Sequence, residues 1–255
     1  MIAAREVAAS ACVRLVAWPA PDLSALVDAN DAVVCCARVS SGRAAVNAMV
    51  REILGSVLLI DHRVSPSVPG TFGSLRQNVR PDVHQVRHGH PDVPARVTTT
   101  ILSETDLARA PGGKPYLTAH ARGLPLNFNI SHSGDVLLVA LSRSAEVGVD
   151  VERVRAVPEW RTIAGRMFDA VARNRLLAEV ACGADEGDAF IREWCRLEAA
   201  VKATGIGIFA GAPDASAAPL HSSTTASAPT RILDLPDLPL PAGAAHYRGA
   251  LALCP

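Results

Sequence analysis

Neither sign of charge is in excess in this chain: 25 Lys and Arg offset 25 Asp and Glu. Overall charge therefore gives no support for a nucleic-acid groove or a cationic membrane face, and any phosphate recognition must be local. Cysteines in metal- or disulfide-type spacing are missing too. Cys12, Cys35, Cys36, Cys182, Cys195 and Cys254 make no CxxC pair and no Cys/His zinc pattern. Adjacent Cys35 and Cys36 are poor disulfide partners, so reduced thiols and a cytoplasmic location are expected. No apolar run approaches the roughly 18 residues of a membrane helix. No basic region followed by an apolar stretch marks a signal peptide. Aromatic residues are scarce at 4 %, and alanine and valine dominate the 49 % that is hydrophobic. With only 20 % of its residues charged, a chain of 255 residues has a globular composition and can bury one large core or two smaller ones. A monomer without nucleic-acid or membrane partners is expected.

What is present is concentrated in the second half. Glu146-Val-Gly-Val-Asp-Val-Glu152 alternates as a strand does. Residues two apart share a face, so Val147, Val149 and Val151 point to a core while Gly148, Asp150 and Glu152 point away from it. Two carboxylates on one strand face, beside a glycine, suit an oxygen-loving divalent cation. A half-exposed strand with solvated acids is the alternative reading. Upstream, Asn127-Phe-Asn-Ile-Ser-His-Ser-Gly-Asp135 leads into the apolar run Val136–Leu141. The pair reads as a hairpin with Ser-His-Ser-Gly at its tip, offering hydroxyl and imidazole groups to a phosphate. A plain surface turn is the competing reading. Downstream, Phe190, Trp194, Leu197 and Val201 recur at helical spacing as one stripe, with Gly205 as C-cap. Glu198 and Lys202, four apart, border that stripe, as a pair reaching a site or as a surface ion pair. Trp194, inside the stripe, reads as core.

Together, Asn-Ile-Ser-His-Ser, Gly-Val-Asp-Val-Glu and Trp-x-x-x-Glu-Ala-x-x-Lys-x-x-Gly resemble the 4′-phosphopantetheinyl transferases. In particular they look like the long single-chain type similar to surfactin-synthetase-activating enzymes. Gly113-Lys114-Pro115 matches a further element of that family. The resemblance implies an α+β fold of two similar halves, each a small antiparallel sheet against a helix, with the site in the cleft between them. The halves are expected at 1–118 and 119–255. It implies transfer of 4′-phosphopantetheine from coenzyme A to a serine of an acyl, polyketide or peptidyl carrier protein, releasing adenosine 3′,5′-bisphosphate. Asp150, Glu152 and Glu198 would hold Mg²⁺, and Glu198 and Lys202 would act in catalysis. Lys114, Pro115, Ser131, His132 and Lys202 would contact the coenzyme. A non-catalytic relative that binds coenzyme A or carriers, and another Mg²⁺-dependent phosphodiester-processing enzyme, are the alternatives.

The first hundred residues match less well. A strand over 12–18, a helix over 23–37 and a helix over 43–54 ended by Gly55 are expected. Arg43 or Arg51 is the candidate for a basic contact to the coenzyme. Residues 61–96, rich in proline, histidine and arginine, read as an irregular insertion, with His84, His88 and His90 as a conceivable metal cluster. Residues 158–181 read as one helix opened by Pro158. Its Met167–Ala172 stretch lacks the glutamate the family often carries there, and Asp169 is not given that role. Residues 210–229 read as a flexible loop, and strands are expected near Arg231–Leu235 and Tyr247–Leu253.

Overall fold

Strands β2 (Ala32–Arg38) and β6 (Val136–Ser142) show almost no alternation in burial, because both of their faces are covered. The computed structural model describes residues 12–40, 42–58, 102–110, 113–118, 125–205 and 230–254. The expected insertion at 61–96, with His84, His88 and His90, and the loop at 210–229 lie outside them.

The fold is α+β and layered. Strands β1 (Val13–Ala17), β2, β6 and β5 (Asn127–Ser133) form a sheet in the order β1-β2-β6-β5. On one face, Val33, Cys35, Leu137, Val139 and Leu141 pack under α1 (Leu23–Ala29) and α2 (Arg43–Val57). On the other, Val34, Leu138 and Ala140 meet Val147, Val149, Val151 and Leu251 of a second sheet. That sheet contains β7 (Glu146–Arg153), β9 (Tyr247–Cys254) and β8 (Arg231–Leu235), in the order β7-β9-β8. Its far face carries α5 (Glu186–Thr204), flanked by α3 (Trp160–Met167) and α4 (Ala170–Ala181). A short hairpin, β3 (Leu107–Arg109) with β4 (Pro115–Leu117), belongs to neither sheet. No helix among the described residues is long and apolar enough to cross a membrane.

The division expected at 118/119 falls between β4 and β5. The second sheet is antiparallel throughout, whereas β1 pairs parallel to β2, so the first is mixed. The expected helix over 23–37 is α1 followed by β2. Ala-Val-Val-Cys-Cys-Ala is a sheet-centre run whose lack of alternation hid its period. Gly55 does not end α2; it is buried inside it, and the helix runs to Val57. The expected helix over 158–181 breaks at Phe168, where the backbone turns extended, and Asp169 caps α4 through a 2.8 Å bond from the Ala172 amide.

Helix α5 is tied down by arginines. Glu193, 1 % exposed, takes two 2.6 Å bonds from Arg175 and a further one from Arg196, which also reaches Asp234 on β8. Asp188 accepts two bonds from Arg248 on β9, at 2.7 and 2.8 Å, and one from Arg192. The Arg248 guanidinium holds the Asp188 carboxyl below its ordinary range. A lowered carboxylate stabilises above its unfolded value, roughly pH 4, and that contribution is lost as pH falls through the folded value. Asp188→Asn is expected to cost about 1–2 kcal/mol at pH 7. Urea unfolding at several pH values should show the difference from wild type shrinking below about pH 4.

Candidate active site

Alternation along β7 sets the site. Val147, Val149 and Val151 enter the core between the sheets, and Asp150 faces α5 at 1 % exposure. Gly148 clears room for this helix and not for a cation: a Cβ there would lie 2.0 Å from the Ala199 carbonyl oxygen and 2.3 Å from the Ala203 amide. The buried row of α5 is correspondingly Ile191, Cys195, Ala199 and Ala203, set against Ala250 and Ala252. This displaces the expected stripe: Trp194, Leu197 and Val201 are only half-buried, and Trp194 stacks on Phe190 at 6.0 Å. Small residues on both surfaces bring the helix close, and sequence hydrophobicity does not weigh small residues heavily.

Close approach places Lys202 and Glu198 over Asp150. Lys202 Nζ donates to Asp150 Oδ1 at 2.6 Å and to Ser131 Oγ at 3.2 Å, and lies 3.3 Å from Glu198 Oε2. Burial raises the Asp150 carboxyl above its ordinary range, although the Lys202 ammonium pulls it back. Burial, reinforced by the Asp150 charge, raises Glu198 as well. Burial disfavours the Lys202 ammonium, but attraction and hydrogen bonding to Asp150 outweigh it, and the amine titrates above its ordinary value. The neutral thiol of Cys195, buried one turn before Ala199, is driven up by burial and then by the charge of Asp150.

Asp150 Oδ2 is fully buried and has no hydrogen-bond partner among the described residues. Lys202 balances the charge of this carboxylate through Oδ1, and the Cys195 thiol packs against it, but the bare Oδ2 acceptor is still costly, and a cation that reaches it relieves the cost. No three His, Cys, Asp or Glu side chains among the described residues gather into a metal cluster. Mg²⁺ does not require one: it takes one or two carboxylates and fills its shell with water and phosphate oxygens. The oxygen donors Asp150 and Glu152, on one strand face, fit that demand, with Glu198 joined to them through Lys202.

The expected coenzyme contacts are more dispersed. Ser131, His132 and Ser133 are strand residues in β5, and the hairpin turns at Gly134-Asp135. Alternation therefore splits the expected phosphate cluster: both serines face β7, and His132 is exposed on the opposite face. The Ser131 hydroxyl donates to Asp150 Oδ1 at 2.8 Å and accepts from the Val151 amide and Lys202, which uses its one hydrogen and both lone pairs. Lys114 Nζ binds Glu146 at 2.5 Å and the Ala203 carbonyl at 2.9 Å, tying the β3–β4 hairpin to the start of β7 and the end of α5. Lys114 and Pro115 line one side of a cavity of about 590 Å³, with Tyr116, Phe128 and Glu146 among its other walls. Arg43 is exposed, and Arg51 lies 3.8 Å from Glu104. Asp169 is spent as a helix cap. The sequence reading missed Cys195 against Asp150, and Ser133 as the partner of Glu152. The alternation of Asn127, Asn129, Ser131 and Ser133 along one strand is the signal that carries the latter.

A family model described as the 4′-phosphopantetheinyl transferase superfamily matches residues 146–237, which span β7, α5 and β8. The chain is 41 % identical over 93 residues to 4′-phosphopantetheinyl transferase AcpT of Salmonella typhimurium, covering 36 % of this chain and 46 % of that protein. It therefore spans less than half the length of that relative. It is 38 % identical over 165 residues to AcpT of Escherichia coli (strain K12), covering 62 % of this chain and 74 % of that one. It is also 32 % identical over 112 residues to the human L-aminoadipate-semialdehyde dehydrogenase-phosphopantetheinyl transferase, covering 40 % of this chain and 35 % of that protein.

Proposed function

The chain belongs to the 4′-phosphopantetheinyl transferase superfamily, and from that premise we propose that it transfers 4′-phosphopantetheine from coenzyme A to a serine of an acyl, polyketide or peptidyl carrier protein. The observation that carries the reading is the Asp150–Lys202–Glu198 cluster, with its unpartnered Asp150 oxygen, inside the matched segment.

The carrier serine oxygen forms a bond to the phosphorus that bears pantetheine. The bond from that phosphorus to the bridging oxygen breaks, and adenosine 3′,5′-bisphosphate leaves. Phosphoryl transfer of this kind demands positioning and charge neutralisation more than covalent chemistry. Asp150 and Glu152 would hold Mg²⁺, which would neutralise charge on the pyrophosphate. Lys202, fixed by Asp150 and Ser131, holds a second positive charge beside the same carboxylates. Glu198, less buried than Asp150 and raised above the ordinary carboxylate range, is the base suited to take the serine proton. Glu146, in the wall of the cavity beside Lys114 and Tyr116, precedes Asp150 by about 13 Å of β7, a span suited to the nucleotide end of the coenzyme.

The test is intact-mass analysis of apo fatty-acid, polyketide and peptidyl carriers after incubation with the protein, coenzyme A and Mg²⁺. A gain of one phosphopantetheine, lost when the carrier serine is replaced by alanine, is expected. Coenzyme A binding without a mass gain on any carrier would point instead to a non-catalytic relative.

A further inference from the structure

Among the described residues, strand β7 is an edge strand, paired within its sheet with β9 alone. An edge leaves a row of backbone groups without ladder partners. Those groups do not go to the backbone of β5, the neighbouring edge of the first sheet. Three of the β7 amides, and the Ala145 carbonyl just before the strand, go to side chains of β5. Asn127 Nδ2 donates to the Ala145 carbonyl at 3.0 Å. The amides of Val149, Val151 and Arg153 donate to Asn129 Oδ1, Ser131 Oγ and Ser133 Oγ at 3.1, 3.3 and 3.1 Å. The two sheets are thus joined by a ladder in which a side chain stands in for one strand's backbone.

The choice of side chain at each rung follows what β7 presents beside it. Asn129 lies next to Gly148, which has no side chain to meet. Ser131 lies next to Asp150, and its hydroxyl donates to Asp150 Oδ1 at 2.8 Å. Ser133 lies next to Glu152, and its hydroxyl donates to Glu152 Oε2 at 2.9 Å. A hydroxyl can accept from an amide and donate to a carboxylate at once, which is what both serine positions require. Asp150 has Lys202 as a second anchor. For Glu152, Ser133 is the one hydrogen-bond partner among the described residues.

We propose that Ser133 is a positioning residue for Glu152: it locks the carboxylate to the β5–β7 ladder so that Glu152 and Asp150 meet the same divalent cation at a fixed spacing. Without that bond the half-exposed glutamate is free to rotate among rotamers that point into solvent. Partners that orient a metal-binding carboxylate are typically worth about 10- to 100-fold in metal affinity. This inference rests on the reading that the acids of β7 bind Mg²⁺.

The test compares Ser133→Ala and Ser133→Thr with wild type, with Mn²⁺ as the probe ion. Mn²⁺ affinity is measured calorimetrically on the purified full chain with coenzyme A present, alongside melting temperature and transfer to an apo carrier. Ser133→Ala is expected to weaken Mn²⁺ binding about tenfold. Ser133→Thr, which keeps the hydroxyl, should stay within roughly twofold of wild type. The two variants should melt alike, because water replaces the lost acceptor at the exposed Arg153 amide. An alanine variant with wild-type Mn²⁺ affinity overturns the proposal, as does a threonine variant as weak as alanine. A wild-type protein that binds no Mn²⁺ overturns it outright. Failure of the transferase reading looks different: Mn²⁺ and coenzyme A bind, no carrier gains mass, and the serine comparison still reads out.

Discussion

Glu198→Gln is expected to lower kcat for transfer to an apo carrier by about 10²-fold or more, with the melting temperature unchanged or slightly raised. The two halves of that expectation have one cause. Burial and the nearby Asp150 charge raise the Glu198 carboxyl above its ordinary range. For a group raised in the folded state, the favourable balance holds below the unfolded value and is lost as pH rises through the folded value. Above that folded value the side chain is therefore a burden on the fold, and a neutral isostere removes that burden. The ion pair given up is the i,i+4 contact to Lys202 at 3.3 Å, a class worth about 0.3–0.5 kcal/mol. A base, in contrast, must take up a proton, and the glutamine amide oxygen is far too weakly basic to do so. Transfer is read by the mass gain of the carrier, and stability by thermal unfolding. A glutamine variant that turns over at the wild-type rate would remove Glu198 from the chemistry. One that is inactive and melts far lower would make it a structural residue.

Gly148→Ala carries the other large effect, and it falls on the fold first. The new methyl would lie 2.0 Å from the Ala199 oxygen, 2.3 Å from the Ala203 nitrogen and 2.9 Å from the Ala203 Cα, all backbone atoms of α5. No rotamer change relieves a clash with backbone, so the helix must lift from the sheet. Overpacking of this kind costs about 1–3 kcal/mol and at times more. A loss of about 3 kcal/mol corresponds to a melting-temperature drop of roughly 6–12 °C in a protein of this size. Lys202 and Glu198 ride on the same helix, so the variant should also lose most transfer activity. Gly165→Ala in α3 is the control, since a Cβ at that position would meet nothing within 4 Å. Alanine there should be neutral or better by up to about 1 kcal/mol. If Gly148→Ala melts within about 1 kcal/mol of wild type, the close packing of α5 on β7 is wrong.

Much of the candidate site's placement was legible because its residues repeat at the period of the element that carries them. Glu146–Glu152 alternates, and the structure keeps the valines in the core and Asp150 on the opposite face. Glu198 and Lys202 are four apart on a helix that Gly205 ends in a left-handed conformation, at φ 72°. The readings that moved are those where period is silent. Ala32–Arg38 lies under cores on both faces, so it shows no alternation to mark it as a strand. Phe168 and Asp169 split a helical pattern that hydrophobicity alone continues, because an aspartate cap acts through one local hydrogen bond.

The order of residues alone carries the local chemistry of this protein: which strand bears the two acids, which helix bears Glu198 and Lys202, and the family whose motifs these are. Those features rest on short-range periodicity and side-chain type. What each group meets is a matter of three-dimensional packing. Packing turned Gly148 from a clearing for a cation into the floor for α5, and it left one oxygen of Asp150 buried without a partner among the described residues. It also spent the Ser131 and Ser133 hydroxyls on the edge of β7. The reason is that an edge strand's backbone groups and a buried carboxylate must find partners wherever the fold supplies them, and here the partners lie about twenty residues or more away along the chain.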